Sequence, residues 1–200
     1  KTSLLCGPAG QTLLKIIVTG QDIVRQVIEN NGDNQVLQND ELIVMVRLSL
    51  SVLNRLLLLQ EKDSNQSLTN TAVEQALFVT NPTESNMILV LSHYVFQKYD
   101  SRLATLAVTL LKRLSKHFPM SMLACLGSES ESIRDHFLYR LEEITEDLQL
   151  KIALLSFLCS CVKHQPGLIE MFLNLETSYE SENGTCSCLK TVLEILEEKM

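Results

Sequence analysis

The residues best suited to chemistry lie near one histidine, His164, in the stretch KHQPGLIEMF at 163–172. Cys161 lies three residues before it, so a Cys–His pair is sterically possible, and Cys159 is close by. Two cysteines spaced C-x-C point about 200° apart on a helix, however, so they cannot bind one ion while the helix continues. Structural zinc usually requires C-x₂₋₄-C pairs, which the chain lacks. We therefore expect free, buried thiols and no metal or other cofactor. The six cysteines are Cys6, Cys125, Cys159, Cys161, Cys186 and Cys188.

The remaining candidates for catalysis are weak. An acidic cluster near a helix–helix turn could in principle do acid–base work, but we expect it to cap the next helix and face water. Its members are Glu142, Glu143, Glu146 and Asp147. The glycine-containing stretch CGPAGQTLLKI at 6–16 lacks phosphate-loop spacing and is typical of a helix start. His93 and His136 lie in no nucleophile motif. We therefore predict that the protein is not an enzyme.

Composition and charge argue against direct nucleic-acid binding and against insertion into a membrane. Hydrophobic residues make up 46% of the 200-residue chain, and the net charge is −7. A nucleic-acid-binding protein usually has a concentrated basic excess. The single basic group is interpreted as the solvated face of a helix; it comprises Lys98, Arg102, Lys112, Arg113 and Lys116. The longest nearly apolar run, 152–162, is interrupted by two serines and is shorter than the roughly 20 residues that cross a bilayer.

Helical periodicity dominates the chain, and turn residues divide it. Asn81 and Pro82 predict a helix start that continues to about Tyr99, and Asp100 predicts the next start. That second helix ends before Pro119, because proline cannot continue it. Further along, Gly127 predicts a left-handed cap, Ser128 with Glu131 predicts a capping box, and Asp147 predicts the start of the most apolar helix. This last helix ends at KHQP.

The motif KHxP occurs twice, and Lys116 and Lys163 are 47 residues apart. The flanks align without gaps, so that Asp100 matches Asp147 and Leu103 matches Leu150. HEAT and armadillo repeats have periods of about 40–47 residues. The sequence therefore predicts an all-α, superhelical α-solenoid, with candidate repeats at 81–127 and 128–174, a loop at 175–185 and a further repeat from near 186. In such a stack each unit buries the apolar face of its neighbour.

The repeat explains His164 without catalysis, because His117 occupies the equivalent position in the earlier unit. Both histidines would lie in a last helical turn, where a donor or cation suits the free carbonyls. The residues predicted to form structural joints are Pro82, Asp100, His117, Pro119, Gly127, Asp147, His164, Pro166 and Gly167. The helical pattern continues to the last residue, from which we expect a fragment of a longer protein.

Residues 133–176 resemble a known family. The stretch IRDHFLYRLEEITEDLQLKIALLSFLCSCVKHQPGLIEMFLNLE, and within it QPGLIEMFLNLE above all, is similar to the nucleoporin 188/205 family of large scaffold nucleoporins. The resemblance implies a non-enzymatic α-solenoid in the inner ring of the nuclear pore complex, at the nuclear envelope. It also implies other nucleoporins as partners, bound through short linker helices. It places this segment mid-to-late in the whole protein and transfers no partner-binding residue.

Two other classes stay open from the residues alone. A transport receptor or adaptor solenoid of the karyopherin kind would bind cargo peptides on a concave face, although the absence of Trp weakens this alternative. A hydrolase built on helices would need a nucleophile–base pair, which the sequence does not display.

Overall fold

The computed structural model describes residues 7–30, 36–63, 86–98, 100–117 and 121–173. Within these ranges the fold is all-α and contains no strand, which confirms the predicted fold class. The α-helices are α1 (Pro8–Asn30), α2 (Val36–Asp63), α3 (Met87–His93), α4 (Ser101–His117), α5 (Met122–Leu126), α6 (Ser130–Glu142), α7 (Leu148–His164) and α8 (Pro166–Leu173), with a 3₁₀ turn, Gly127–Glu129, between α5 and α6.

Helices α2 and α4 lie side by side and run in the same direction. Near the start of α4, Arg47 Nη1 donates to Asp100 Oδ2 at 3.1 Å. Seven residues further along α2, Asn54 Nδ2 donates to the carbonyl of Leu106 at 3.0 Å. From the first contact to the second, the residue number rises in both helices, so the helices run parallel.

The same relationship holds between α4 and α7, which pack along each other. Lys112 donates to Ser156 Oγ, and the hydroxyls of Ser115 and Ser160 are 2.9 Å apart. These contacts again advance together. Three parallel helices, α2, α4 and α7, are therefore placed in one row with α4 packed against both of the others.

Each helix of this row also packs against a helix that precedes it in the chain. Helix α1 packs on α2, α3 on α4, and α6 on α7. The Tyr94 hydroxyl, just after α3, donates to the carbonyl of Ile17 in α1 at 2.5 Å. The described fold is thus a set of helical pairs, in which one helix of each pair belongs to the row of three.

Helical spacing of leucines explains why this row is stable. Each burial of a leucine contributes about 1.5–3 kcal/mol relative to exposure, and α4 buries leucines on a wide face because it has neighbours on two sides. The fully buried leucines of the row include Leu50, Leu53, Leu110, Leu150 and Leu154.

One predicted helix is shorter than expected. In place of a helix from Asn81 to about Tyr99, α3 begins at Met87, with Asn86 as its cap through a 3.0 Å bond to the N–H of Ile88. It ends at His93. The chain then turns, because the N–H groups of Val95 and Phe96 bond to the carbonyls of Ser92 and His93 at 3.1 and 3.0 Å. Before α4, the Gln97 side chain accepts from the N–H of Asp100 and donates to its carbonyl, at 2.9 and 2.7 Å. Asn81 and Pro82 lie outside the described residues.

The predicted capping box at Ser128 and Glu131 is wrong. Ser128 lies inside the 3₁₀ turn, and no side-chain hydrogen bond caps α6. The N–H of Ser130 is instead bonded to the carbonyl of Gly127, so the backbone of the 3₁₀ turn replaces the side-chain cap. Gly127 does have a positive φ of 55°, but its ψ of −133° lies outside the left-handed helical region predicted for it.

Candidate functional site

Buried polar contacts lie at the joints between helices, and two of these joints begin with an aspartate cap. Asp100 Oδ1 accepts from the N–H groups of Arg102 and Leu103 at 2.9 and 3.2 Å. Asp147 Oδ1 accepts from the two equivalent N–H groups of α7 at 2.7 and 3.2 Å. Each carboxylate satisfies backbone donors that a helix start leaves unpaired.

The joint between α7 and α8 is tight. His164 is the last residue of α7 and is exposed, and Pro166 is the first residue of α8, where a missing N–H costs nothing. Gly167 follows, yet a Cβ at this position would only touch Leu123 at 3.9 Å. The joint therefore does not require glycine at 167, and His164 contacts no nucleophile that the structure describes.

The residue that fixes this joint is Gln165, which the sequence analysis did not single out. It is 6% exposed. Its Oε1 accepts from the N–H of Met122 at 3.0 Å, and its Nε2 donates to the carbonyl of Ser115 at 3.3 Å. The side chain thus joins the end of α7 to the end of α4 and the start of α5. The signal in the sequence that could have indicated this role is the position of a glutamine between the end of a helix and a proline.

The earlier joint, between α4 and α5, is described only in part. His117 is the last residue of α4, and its side chain, like Pro119, lies outside the described residues. Gly127 ends α5, as described above.

A buried cation connects two turns. Arg140 in α6 is 2% exposed, and its Nη1 donates to the carbonyls of Val95 and Gln97 at 2.8 and 2.5 Å. Its Nε pairs with the carboxylate of Glu146. The guanidinium therefore holds the turn after α3 against the turn between α6 and α7. The sequence analysis gave Arg140 no role, although its place on the buried side of α6, beside Leu141, was a signal.

The acidic cluster does not form a catalytic pair. Asp147 is a cap, as expected, but Glu146 is 9% exposed in its side chain and pairs with Arg140, so the expectation that it faces water is wrong. Glu143 accepts from the Tyr139 hydroxyl at 3.0 Å, and this bond lowers the pKa of Glu143. The carboxylates therefore have separate, structural partners.

A cleft of about 320 Å³ opens between α1, the end of α3 and the start of α6. Within it, Gln21 Nε2 lies 3.1 Å from His93 Nδ1, and His93 Nε2 lies 2.7 Å from Glu129 Oε2. Phe96 stacks on His136 with ring centroids 3.7 Å apart. With the Gln21 amide donating to Nδ1, His93 donates from Nε2 to Glu129. These contacts hold three elements together and include no nucleophile.

The cysteines have different environments. Cys161 is fully buried, and burial raises the pKa of its thiol to about 12. Burial also raises the pKa of Cys125, which is half-buried. Cys159 is exposed, so the prediction of a buried thiol is wrong there. Cys159 and Cys161 are two residues apart on one helix and therefore face nearly opposite sides. Cys6, Cys186 and Cys188 lie outside the described residues.

Two further observations limit the chemistry of the described part of the chain. It contains no group of three or more His, Cys, Asp or Glu side chains placed to bind a metal ion. None of the helices described there combines the length and the apolar character needed to cross a bilayer.

Paired helices joined by buried polar contacts define an all-α protein in the described ranges. Comparison with known proteins identifies the family. Residues 2–176 match the model of the nucleoporin Nup188 N-terminal subdomain III. The chain therefore belongs to the nucleoporin Nup188 family.

Individual relatives agree with this assignment. The chain is 39% identical to nucleoporin NUP188 of Mus musculus and of Homo sapiens over 207 residues, which covers 98% of the chain. It is 32% identical to nucleoporin Nup188 of Drosophila melanogaster over 184 residues, or 90% of the chain. The chain spans 12% of the length of the mouse and human proteins. The matched model is the third subdomain of the N-terminal part of that family.

Proposed function

We propose that the protein is a structural scaffold component of the inner ring of the nuclear pore complex, at the nuclear envelope. In this role it supports pore assembly and nucleocytoplasmic transport through protein–protein contacts. Membership of the nucleoporin Nup188 family, across residues 2–176, carries the proposal. The structural partners found for Arg140, Gln165 and the two capping aspartates support a non-catalytic role that needs no cofactor.

Within this role, the helical pairs would be consecutive repeats of an α-solenoid. The units 81–127 and 128–174 would be followed by the loop at 175–185 and a further repeat from near 186. The parallel packing of α4 on α7, both 17 residues long, supports this reading. The pair α1–α2 would add an earlier unit, because α2 packs on α4 in the same parallel manner. The nine predicted joint residues would then be the points at which units meet.

Fractionation of nuclear envelopes tests the scaffold role. The endogenous protein, tagged at its own locus, is followed through extraction with salt and detergent. A scaffold component stays with the insoluble pore fraction and gives a punctate nuclear rim in cells. Complete release with the soluble transport factors would contradict the proposal. No observation favours the transport-receptor alternative, which would give that second result.

For partners, we propose other nucleoporins that present amphipathic linker helices to a groove between repeats. The test is capture of binding proteins from nuclear-envelope extract by this chain, against a length-matched helical-repeat protein. Enrichment of inner-ring nucleoporins over the control supports the proposal. Their absence, in a preparation whose folding circular dichroism verifies, would show that this segment does not bind them.

A further inference from the structure

The parallel helices α4 and α7 contain basic residues and no acidic residue. The basic residues are Arg102, Lys112, Arg113 and Lys116 in α4, and Lys151 and Lys163 in α7. The whole chain has a net charge of −7. This pair of helices is therefore a basic surface on an acidic protein, and it attracts anions that the rest of the chain repels.

Two contacts show which side of each helix meets the other. Lys112 donates to Ser156 Oγ, and the hydroxyls of Ser115 and Ser160 are 2.9 Å apart. Successive residues of a helix lie about 100° apart around its axis. On this basis Ile152 and Lys163 lie about 60° and 40° from the mean direction of Ser156 and Ser160, and Lys116 lies about 70° from that of Lys112 and Ser115. Exposed side chains of both helices thus form one surface beside the contact.

We call this surface the α4–α7 face; it consists of Thr105, Lys112, Lys116, Ile152, Cys159 and Lys163. Lys116, Cys159 and Lys163 are exposed, and Ile152 is 51% exposed. The three lysines lie in the C-terminal halves of the two helices, whereas Ile152 lies near the N-terminal end of α7. The capping aspartates lie at the far end from the lysines and are bonded to backbone N–H groups. The face is therefore basic at one end and apolar at the other.

The chemistry of this face specifies the partner that fits it. An ammonium group has three N–H donors, so Lys112 can bind a carboxylate in addition to Ser156. A half-exposed isoleucine is stabilised when an apolar side chain covers it, which a phosphate backbone does not supply. A helix with one apolar face and acidic residues along its edge supplies both contacts, because unlike charges across an interface attract.

We propose that the α4–α7 face binds an acidic amphipathic helix of a partner protein. Its carboxylates pair with Lys112, Lys116 and Lys163, and its apolar side chains cover Ile152. This inference rests on the linker-helix partner proposed above, to which it adds a place and a charge. The pore role is tested in the cell and this face with purified components, so the two fail separately.

Two helical peptides of about four turns, or about 15 residues, are the probes. Each is stapled, because an isolated helix of this length is marginal in water. Both present leucines on one face, and the edges of that face have glutamates in one peptide and lysines in the other. Binding to the 200-residue chain is measured by fluorescence anisotropy.

Docking of an acidic helix predicts that the glutamate peptide binds at least about tenfold more tightly than the lysine peptide. The net charge of −7 alone favours the opposite order. Tighter binding of the lysine peptide, equal binding of the two peptides or no binding of the glutamate peptide would overturn the proposal.

Matched charge variants locate the binding. Lys163→Glu reverses a charge on the α4–α7 face, and Lys15→Glu reverses an exposed charge on α1. Lys163→Glu should weaken binding of the glutamate peptide at least about fivefold, and Lys15→Glu less than about twofold. Both positions are exposed, so both variants should fold, which circular dichroism verifies. Equal affinities of the two variants would contradict this location.

Matched apolar variants test the other end of the face. Ile152 lies on the side of α7 next to α4, whereas Val162 lies about 140° from the mean direction of Ser156 and Ser160. Ile152→Ser should weaken binding of the glutamate peptide, and Val162→Ser should leave it unchanged. A loss of the same size in both variants would contradict the proposed contact with Ile152.

Two other anions test the class of partner. Phosphatidylserine-containing vesicles and a DNA duplex are each added to the complex of the chain with the labelled glutamate peptide. Unlabelled glutamate peptide should displace the label, whereas neither vesicles nor duplex should do so at the same concentration of negative charge. Displacement by either one as effective as that by the peptide would assign the face to lipid headgroups or to a phosphate backbone, and would contradict the proposal.

Discussion

Gln165 accepts a hydrogen bond from the backbone N–H of Met122 at 3.0 Å, although the two residues are 43 positions apart in the chain. The bond links the joint after α7 to the start of α5, in the unit that precedes it. A buried amide that serves two units in this way fixes their relative position more directly than the exposed proline beside it does.

Replacing Gln165 with Leu should therefore destabilise the chain by about 2 kcal/mol, because the N–H of Met122 and the carbonyl of Ser115 lose their partner in a buried place. Urea denaturation followed by circular dichroism measures the change. Pro166→Ala, at the exposed neighbouring position, is the control and should cost less than about 1 kcal/mol. A Gln165→Leu chain as stable as the Pro166→Ala chain would contradict the role of Gln165 at this joint.

The sequence predicts the parts of this fold that depend on local signals. Asp100 and Asp147 are recognisable as caps because an aspartate before an apolar helix satisfies neighbouring N–H groups. The backbone partners of Gln165 and Arg140 are not predictable in this way, because they lie more than forty residues away in the chain. The end of α3 at His93 has no proline or glycine to mark it, since the chain turns there through backbone bonds of Val95 and Phe96.

Gly20 allows a close approach of two elements to α1. A Cβ at this position would lie 2.3 Å from Val46 Cγ2 and 2.9 Å from the Tyr94 hydroxyl. Gly20→Ala should therefore destabilise the chain by about 2 kcal/mol or more, because α1 must move away from α2. Thermal unfolding measures the effect. Gly167→Ala, which adds the same methyl group where only Leu123 is near, should leave stability equal or raised by up to about 1 kcal/mol. Similar losses in both variants would contradict the packing described here.

The pair of Arg140 and Glu146 should behave as one buried unit. Arg140→Met leaves a nearly buried carboxylate without its partner and should cost about 3–5 kcal/mol. Combined with Glu146→Gln in a double-mutant cycle, it should give a coupling energy above about 1 kcal/mol, measured by chemical denaturation. Asp135→Asn is the control, because Asp135, which pairs with Arg134, is 64% exposed and its ion pair should contribute less than about 1 kcal/mol. Additive losses in the cycle would contradict the buried pairing.

Cys161 should make stability fall at alkaline pH. The thiol in the unfolded chain ionises near its ordinary pKa of about 8.5, whereas the folded thiol keeps its proton up to about pH 12. Between these values the unfolded state binds fewer protons than the folded state, so rising pH favours unfolding. At pH 10 the loss should reach up to about 2 kcal/mol.

Urea midpoints at pH 7.5 and pH 10 test this dependence. Cys161→Ala should lower stability at both pH values, because it leaves a cavity, but should remove part of the difference between them. Cys159→Ala, at the exposed neighbouring cysteine, should keep the full difference. An unchanged difference in Cys161→Ala would show that this thiol does not contribute.

Residence time at the nuclear envelope tests the scaffold role most directly. The endogenous protein, fused to a fluorescent protein, is photobleached over part of the nuclear rim. A scaffold component held by stacked repeats and other nucleoporins exchanges slowly, so the rim should stay dark while a bleached transport receptor in the same cells recovers. Recovery as fast as that of the receptor, with a mobile nucleoplasmic pool, would contradict the structural role.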